Sequence, residues 1–306
     1  MNGRGLSITV QLCTFNRRKL IGRVLEALFR QDLDPDSYEI VLVDDGSTDG
    51  SYEEVLSRLS PPCSLQLVRQ QNAGLARGRN VGIERARGEI ILFMDDDVLA
   101  TPSLLRAHVA FHRSHERSIG RGVAINVASF DDLPAPAYSI RHYSGAYFWT
   151  TNVSVPRRLI EEAGRFDERF SEYGWEDLEL GLRLRNMGIP SILEKDAVVY
   201  HYKPPLSPEQ FGSVARQARA QARTARQFLA KHPHWRVALA TGQLAPLVWW
   251  SKIARMSGWP FVLKGVAGPG QATSAWPIAM RRWAAQRLAR SDYYDELANP
   301  QNAGGG

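Results

Sequence analysis

The strongest constraint in this 306-residue chain is an alternation of two periods along its first third. SITVQL at 7–12, EIVLVDD at 39–45, SLQLVRQ at 64–70 and EIILFMDD at 89–96 are short apolar runs of strand length. Between them lie helical stretches: 18–31, one capped near Ser47 or Asp49, and 74–87. Repeated strand–helix alternation predicts a parallel sheet with helices on both faces. Such sheets bind ligands beyond the carboxyl ends of their strands.

At one of those ends stand three adjacent carboxylates, Asp95, Asp96 and Asp97. Like charges in a row repel unless something positive sits among them. An Asp-x-Asp spacing on extended chain puts two carboxylates on one side, where oxygen ligands suit magnesium or manganese. On the triplet alone, a solvated turn with Asp97 as a helix cap serves equally well. VDDGSTDG at 43–50 is a second acidic strand end, and its carboxylate could accept nucleobase hydrogens. NAGLARGRNVGIERARG at 72–88 offers a glycine loop and a helix start, with Arg77 and Arg79 placed to meet phosphates.

Further along, the pattern predicts a helix over 102–115, a strand over 119–127, an irregular recognition loop, and a strand over 147–155. Pro156 then opens a short helix, a second helix runs from Trp175 to Met187, and a strand covers 190–200.

Four segments in this order resemble glycosyltransferase family 2 on the GT-A fold: CTFNR at 13–17, VDDGSTD at 43–49, QNAGLARGRNVGIERARGEIILFMDDD at 71–97 and GWEDLELGLRLRNMG at 174–188. The resemblance covers roughly residues 7–202. It implies an α/β fold, a GT-A type Rossmann-like mixed sheet flanked by helices; the residues beyond it predict a mainly helical C-terminal extension. The expected divisions are a catalytic domain at 1–203 (nucleotide half to about 100, acceptor half after it), a basic extension at 204–290 and a disordered tail at 291–306.

The roles implied by the resemblance are specific. Thr14, Asn16 and Arg17 line the nucleotide pocket, Asp45 contacts the base, Gly74 and Arg77 lie near base and diphosphate, and Asp96 reaches the ribose. Asp95 and Asp97 face a Mn2+ or Mg2+ ion, with His201 as a further ligand; a lone histidine is otherwise a satisfied surface or core residue. Asp177 is the general base, with Glu176 beside it. Trp175 and Trp149 contact the acceptor, although Trp175 could equally be ordinary core packing. The implied reaction is metal-dependent and inverting, from a nucleotide sugar, a UDP-sugar foremost, to a hydroxyl acceptor such as a lipid-linked or cell-surface glycan.

Two rival readings are weaker. A nucleotidyltransferase would carry a glycine-rich, lysine-containing loop after the first strand, which CTFNRRK lacks. A catalytically silent nucleotide-sugar or membrane-binding protein would have no reason to keep Asp95, Asp97 and Asp177. His108, His112 and His115 share a helix face without carboxylate or cysteine companions, a poor zinc site.

Charge separates the two ends of the chain. Residues 203–290 hold 14 Lys and Arg against one acid, Glu209, and six of the eight tryptophans. Within them, 209–231 predicts a helix with Phe211, Val214, Ala218, Ala222, Ala225 and Phe228 on one face and Arg216, Arg219, Arg223 and Arg226 in a stripe beside it. That helix either packs on a neighbour or meets an anionic membrane, and tryptophans beside Lys and Arg in 244–265 favour the membrane boundary. Nucleic acid is not expected as a partner. Cys13 reads as a buried strand residue and Cys63 as incidental. With no apolar leader after Met1, the expected location is the cytoplasm, with peripheral contact at the inner face of the plasma membrane.

Overall fold

The computed structural model describes residues 6–58, 60–142, 144–256, 259–267 and 276–298. The chain divides into two compact units, one running to Ser171 and resuming over Glu176–Pro204, the other comprising Glu172–Trp175 and the chain from Pro205 onward.

The first unit begins with β1 (Ile8–Thr14), α1 (Arg18–Phe29), β2 (Tyr38–Asp44), α2 (Ser51–Arg58), β3 (Ser64–Arg69), α3 (Leu75–Arg85) and β4 (Ile90–Asp95). It continues through β5 (Val98–Ala100), α4 (Leu104–Ser114), β6 (Ile119–Val127), β7 (Asn152–Pro156), α5 (Arg157–Glu162), α6 (Glu176–Asn186) and β8 (Ser191–Tyr202). The eight strands form one sheet in the order β3-β2-β1-β4-β7-β6-β8-β5. The β1–β4 half is parallel, as the alternation predicts. Beyond it, β7 runs antiparallel to both β4 and β6, and β5 antiparallel to β8, so the sheet is mixed. This is the GT-A arrangement that the resemblance implied.

Strand periodicity explains why both faces are covered. Along β4, Ile90, Leu92 and Met94 enter a core with Ile21, Val24, Leu25 and Leu28 of α1, while Ile91 and Phe93 enter a second core with Phe148, Phe166, Leu180 and Leu184. A strand buried on both faces has no polar alternation to display, which is why these runs are continuously apolar. Phe93 meets Phe148 and Phe166 edge-on at centroid distances of 5.8 and 5.5 Å.

One expectation is corrected in this unit, and one strand that the pattern does not predict is present. The strand over 147–155 is shorter: Tyr147 to Thr151 form a turn, so Trp149 lies in a loop and β7 starts at Asn152. The short strand β5 carries too few residues for a periodic signal, yet it pairs Val98 with His201 and so closes the acidic turn onto β8.

The second unit is helical: α7 (Phe211–Lys231), α8 (Trp235–Ala240), α9 (Ala245–Met256), α10 (Trp259–Ala267) and α11 (Ile278–Ala298). The tail expected to be disordered from 291 is helical to Ala298, held by Arg219 to Asp292 at 3.3 Å and by Arg226 to Glu296; 299–306 lie outside the described residues. These pairs also revise the α7 stripe. Arg219, Arg223 and Arg226 face carboxylates of α11 and Glu172, instead of forming an open cationic surface.

Candidate active site

The parallel register sets the carboxyl ends of three strands side by side, with Thr14 level with Asp44 and Cys13 level with Asp95. The loops that follow β1, β2, β3 and β4 are laced together by polar contacts. Buried Asp44 accepts the Gly46 and Ser47 amides at 3.0 and 2.7 Å, an Asx turn that closes the D-D-G segment. Asp45 accepts from Gln70 Nε2, Ala73 N and Gly74 N at 2.7 to 3.0 Å, tying the β2 end to the start of α3. Asn16, in the left-handed region at φ 55, accepts from the Thr48 amide at 2.8 Å. Gly74 has φ 88, and a β-carbon there would collide with the Ser171 carbonyl, so glycine is required twice over.

The three aspartates diverge. Asp95 accepts from Thr151 Oγ1 at 2.7 Å and lies 3.6 Å from Arg79. Asp96 accepts from Arg17 Nε at 3.3 Å. Burial drives the Asp96 carboxyl up to about 7 against the pull of Arg17, with Asp97 adding repulsion. Asp97 lies 3.4 Å from His201 Nε2, and its backbone carbonyl accepts from Tyr202 N at 2.9 Å. Burial opposes the charged form of Asp97 too, but His201, Lys203 and Arg17 outweigh it and hold the carboxyl below its ordinary value.

Ligand atoms of Asp95, Asp97 and His201 all lie within 4.8 Å of one another. Asp97 Oδ1, the oxygen that faces His201 Nε2, is buried and makes no well-aligned hydrogen bond. Two carboxylates and an imidazole drawn together in this way fit a divalent cation such as Mn2+.

Glu176 and Asp177 open α6, where helix amides favour negative charge. Glu176 is buried and accepts from Arg79 Nη1 at 2.6 Å. Asp177 accepts from the Leu178 amide, and burial followed by repulsion from Glu176 pushes its carboxyl up to about 7. Arg79 also donates to Thr150 Oγ1 at 2.7 Å and lies over the Phe166 ring. Burial disfavours its charge, but Glu176 and Asp95 more than compensate.

Residues 9–160 match the family described as Glycosyl transferase family 2. The chain belongs to glycosyltransferase family 2. It is 30% identical over 228 residues to validoxylamine A glucosyltransferase of Streptomyces hygroscopicus subsp. limoneus, covering 62% of this chain and 50% of that protein. To the chondroitin synthase of Escherichia coli it is 25% identical, over 66% of this chain and 35% of the other. The chain thus spans about half the length of the validoxylamine A glucosyltransferases it matches. Among solved structures it is similar to S. aureus TarS 1-349 in complex with UDP-GlcNAc (TM-score 0.58, 19% identity, 97% of this chain and 92% of that one). It is also similar to the mannosyltransferase PcManGT of Pyrobaculum calidifontis in complex with GDP-Man and Mn2+ (TM-score 0.61, 18% identity, 99% and 89%).

Of the residues that the family 2 resemblance implied, Thr14, Arg17, Asp45, Asp95, Asp96 and Asp97 lie at or just after the carboxyl ends of β1, β2 and β4, and the β5–β8 pairing brings His201 to Asp97. Trp149 joins them, its ring 6.0 Å from that of His201. Arg77 instead pairs with Glu168 at 3.0 Å on the surface. Trp175 belongs to the second unit, where its indole N–H donates to the Gln221 carbonyl at 2.9 Å and its backbone is left-handed at φ 71.

Arg79 is the residue that sequence reasoning misplaced. Expected to meet phosphate, it is 5% exposed and fully engaged with protein groups. The signal was present: Arg79 falls between Ala76 and Ile83 at the spacing of the buried face of α3. His108, His112 and His115 build no metal site; His108 bonds Asn152 and Ser154, His112 bonds Ser154, and His115 stacks on Phe111.

Proposed function

We propose that this chain is a divalent-metal-dependent, inverting glycosyltransferase that moves a sugar from a nucleotide sugar, with a UDP-sugar as the first donor to test, to a hydroxyl of a glycan or lipid-linked glycan. The observation that carries the reading is the convergence of Asp95, Asp97 and His201, joined through buried Arg79 to the helix start bearing Glu176 and Asp177.

A Mn2+ or Mg2+ ion held by Asp95, Asp97 and His201 would supply positive charge for the departing nucleoside diphosphate. Asp97 brings Oδ1, the oxygen without a well-aligned hydrogen bond. Asp96 takes the ribose, and Thr14, Asn16 and Arg17 line the nucleotide. Asp45 already accepts three bonds, and a carboxylate offers about four acceptor sites, so one remains for a base N–H. Gly74 lets the loop pass close to the base. Arg77 reaches a phosphate by leaving Glu168, a small cost for an exposed pair.

Asp177 is the proposed base. A carboxyl raised to about 7 accepts a proton near neutrality more readily than an ordinary aspartate. It removes the acceptor hydroxyl proton as that oxygen forms a bond to the anomeric carbon. The bond from that carbon to the diphosphate oxygen breaks, and the electron pair leaves with the nucleotide. Single displacement from the opposite face inverts the centre. Trp149, against His201, is the aromatic platform proposed for the acceptor.

The test is turnover of UDP-glucose, UDP-GlcNAc and GDP-mannose with Mn2+, with and without a chelator. Release of nucleoside diphosphate that the chelator stops supports the reading. Pyrophosphate release, or metal-independent turnover, counts against it.

A further inference from the structure

We propose that α9, α10 and the first half of α11 form one face that docks on an anionic phospholipid bilayer without crossing it. The inference rests on the second unit alone and is independent of the donor chemistry proposed above.

Residues 245–290 contain seven Lys and Arg and no Asp or Glu; Lys264, Arg287 and Arg290 are exposed, whereas Arg281 is buried and donates to the Ala267 carbonyl. Large apolar side chains nonetheless point outward from all three helices, with Trp249 60%, Phe261 83% and Val262 52% exposed, and Met280 and Trp283 each 42% exposed. A soluble surface seldom leaves so much aromatic area in water unless a partner covers it.

Helix phase shows that this exposure is built in. On α10, Leu263, Val266 and Ala267 turn inward to a small core with Ala284 of α11. Phe261 then falls on the opposite side, with Val262 and Lys264 exposed on the two flanks. On α11, Ala284, Ala285 and Ala289 are buried, so Met280, Trp283, Arg287 and Arg290 form the outer stripe. The guanidinium carbon of Arg287 lies 5.7 Å from the Trp283 ring centroid. Both α9 and α10 pack on α11, which makes the three outward faces parts of one helical cluster.

Charge selects the occupant. A face of Trp, Phe and Met interleaved with Lys and Arg, and free of acids, complements lipid tails below and anionic headgroups above. Among the described residues no helix is long and apolar enough to cross a membrane. The mode is therefore interfacial burial. The α7 stripe, the more obvious basic feature in the sequence, is a poorer candidate because Arg219, Arg223 and Arg226 face carboxylates.

The test is co-sedimentation of the full chain with vesicles of phosphatidylcholine alone and of phosphatidylcholine with about a third phosphatidylglycerol. Binding to the mixed vesicles, absent on phosphatidylcholine and weakened by salt, is the expected result, with a blue shift of tryptophan emission. Phe261→Asp and, separately, Met280→Asp should each weaken binding about tenfold or more. Lys264→Glu combined with Arg287→Glu should remove the preference for anionic lipid. Equal partition onto both vesicles, no binding, or undiminished binding by both aspartate variants would overturn the proposal. So would a concentration-dependent dimer in sedimentation velocity that Phe261→Asp dissolves, since a second copy would then be what covers the face. Donor turnover without lipid is read in parallel, so a failure here leaves the catalytic reading standing and the reverse.

Discussion

Arg79 Nη1 lies 2.6 Å from Glu176 Oε1, both side chains buried, and this pair bridges 97 residues of sequence between α3 and α6. Through its second nitrogen the same guanidinium lies 3.6 Å from Asp95. One buried cation thus holds together the acidic strand end and the helix start proposed to carry the base.

Replacing that cation should be severe. Arg79→Met leaves Glu176 buried and uncompensated, a loss of about 3–5 kcal/mol. Urea unfolding should show it, and Glu176→Gln in the same chain should recover part of the loss. Additive effects of the two substitutions would mean that the pair is not coupled.

Asp97→Asn removes half the charge complement around the cluster with His201 while keeping the side chain's shape. Titration calorimetry with Mn2+ should show weakened binding, and turnover of nucleotide sugar should stop. Wild-type affinity for Mn2+ in this variant would move the metal elsewhere.

A base raised to about 7 makes transfer depend on pH in a definite direction. The deprotonated fraction of Asp177 grows as pH rises, so transfer should climb between pH 6 and 8 and level off. Asp177→Asn should bind UDP as before, lose roughly 10²–10⁴-fold in transfer and lose this rise. A flat profile in the unmodified protein would argue against Asp177.

The buried histidines of α4 set a separate pH limit, on stability. Burial lowers His108 to about 4 and His112 to about 3, while in the unfolded chain each titrates near its ordinary 6.5. Below that value the unfolded chain binds protons that the folded one does not. Their contribution is therefore intact above pH 6.5 and lost as pH falls, by about 1.4 kcal/mol per unit for each histidine. Denaturant midpoints measured from pH 7.5 to 5 should fall, and His108→Gln should flatten the slope.

Gly74→Ala tests the loop between base and diphosphate. At φ 88, with the Ser171 carbonyl in the way, alanine must shift the backbone. The strain alone is about 1–3 kcal/mol. The greater effect should be on the Michaelis constant for the donor, because Gly74 N is one of the donors that hold Asp45.

Much of the fold, and the outline of the candidate site, is legible in the residues alone. β1 to β4 announce themselves because strands buried on both faces read as unbroken apolar runs, and their acidic ends sit where a parallel sheet binds ligands. Asp95, Asp97 and the Glu176-Asp177 helix start follow from local pattern and resemblance. Arg79 did not, because an arginine on a helix is usually solvated and only the packing of α3 on β1 and β2 revealed its buried face. Trp149 was read as strand because aromatic and β-branched residues cluster there; its neighbours instead form a turn. The α7 stripe looked open because its partners, Asp292 and Glu296, lie in a segment whose composition suggested disorder.

By itself the sequence determined the strand–helix alternation, the family and the carboxylates, since each is written in nearest-neighbour periodicity and short motifs. Tertiary structure alone decided which of those carboxylates meet. A three-residue strand, β5, pairs Val98 with His201 and brings Asp97 to the imidazole, and a buried arginine ties Asp95 to Glu176. Contacts between residues about a hundred positions apart depend on sheet order and register, and no local pattern of residues encodes either.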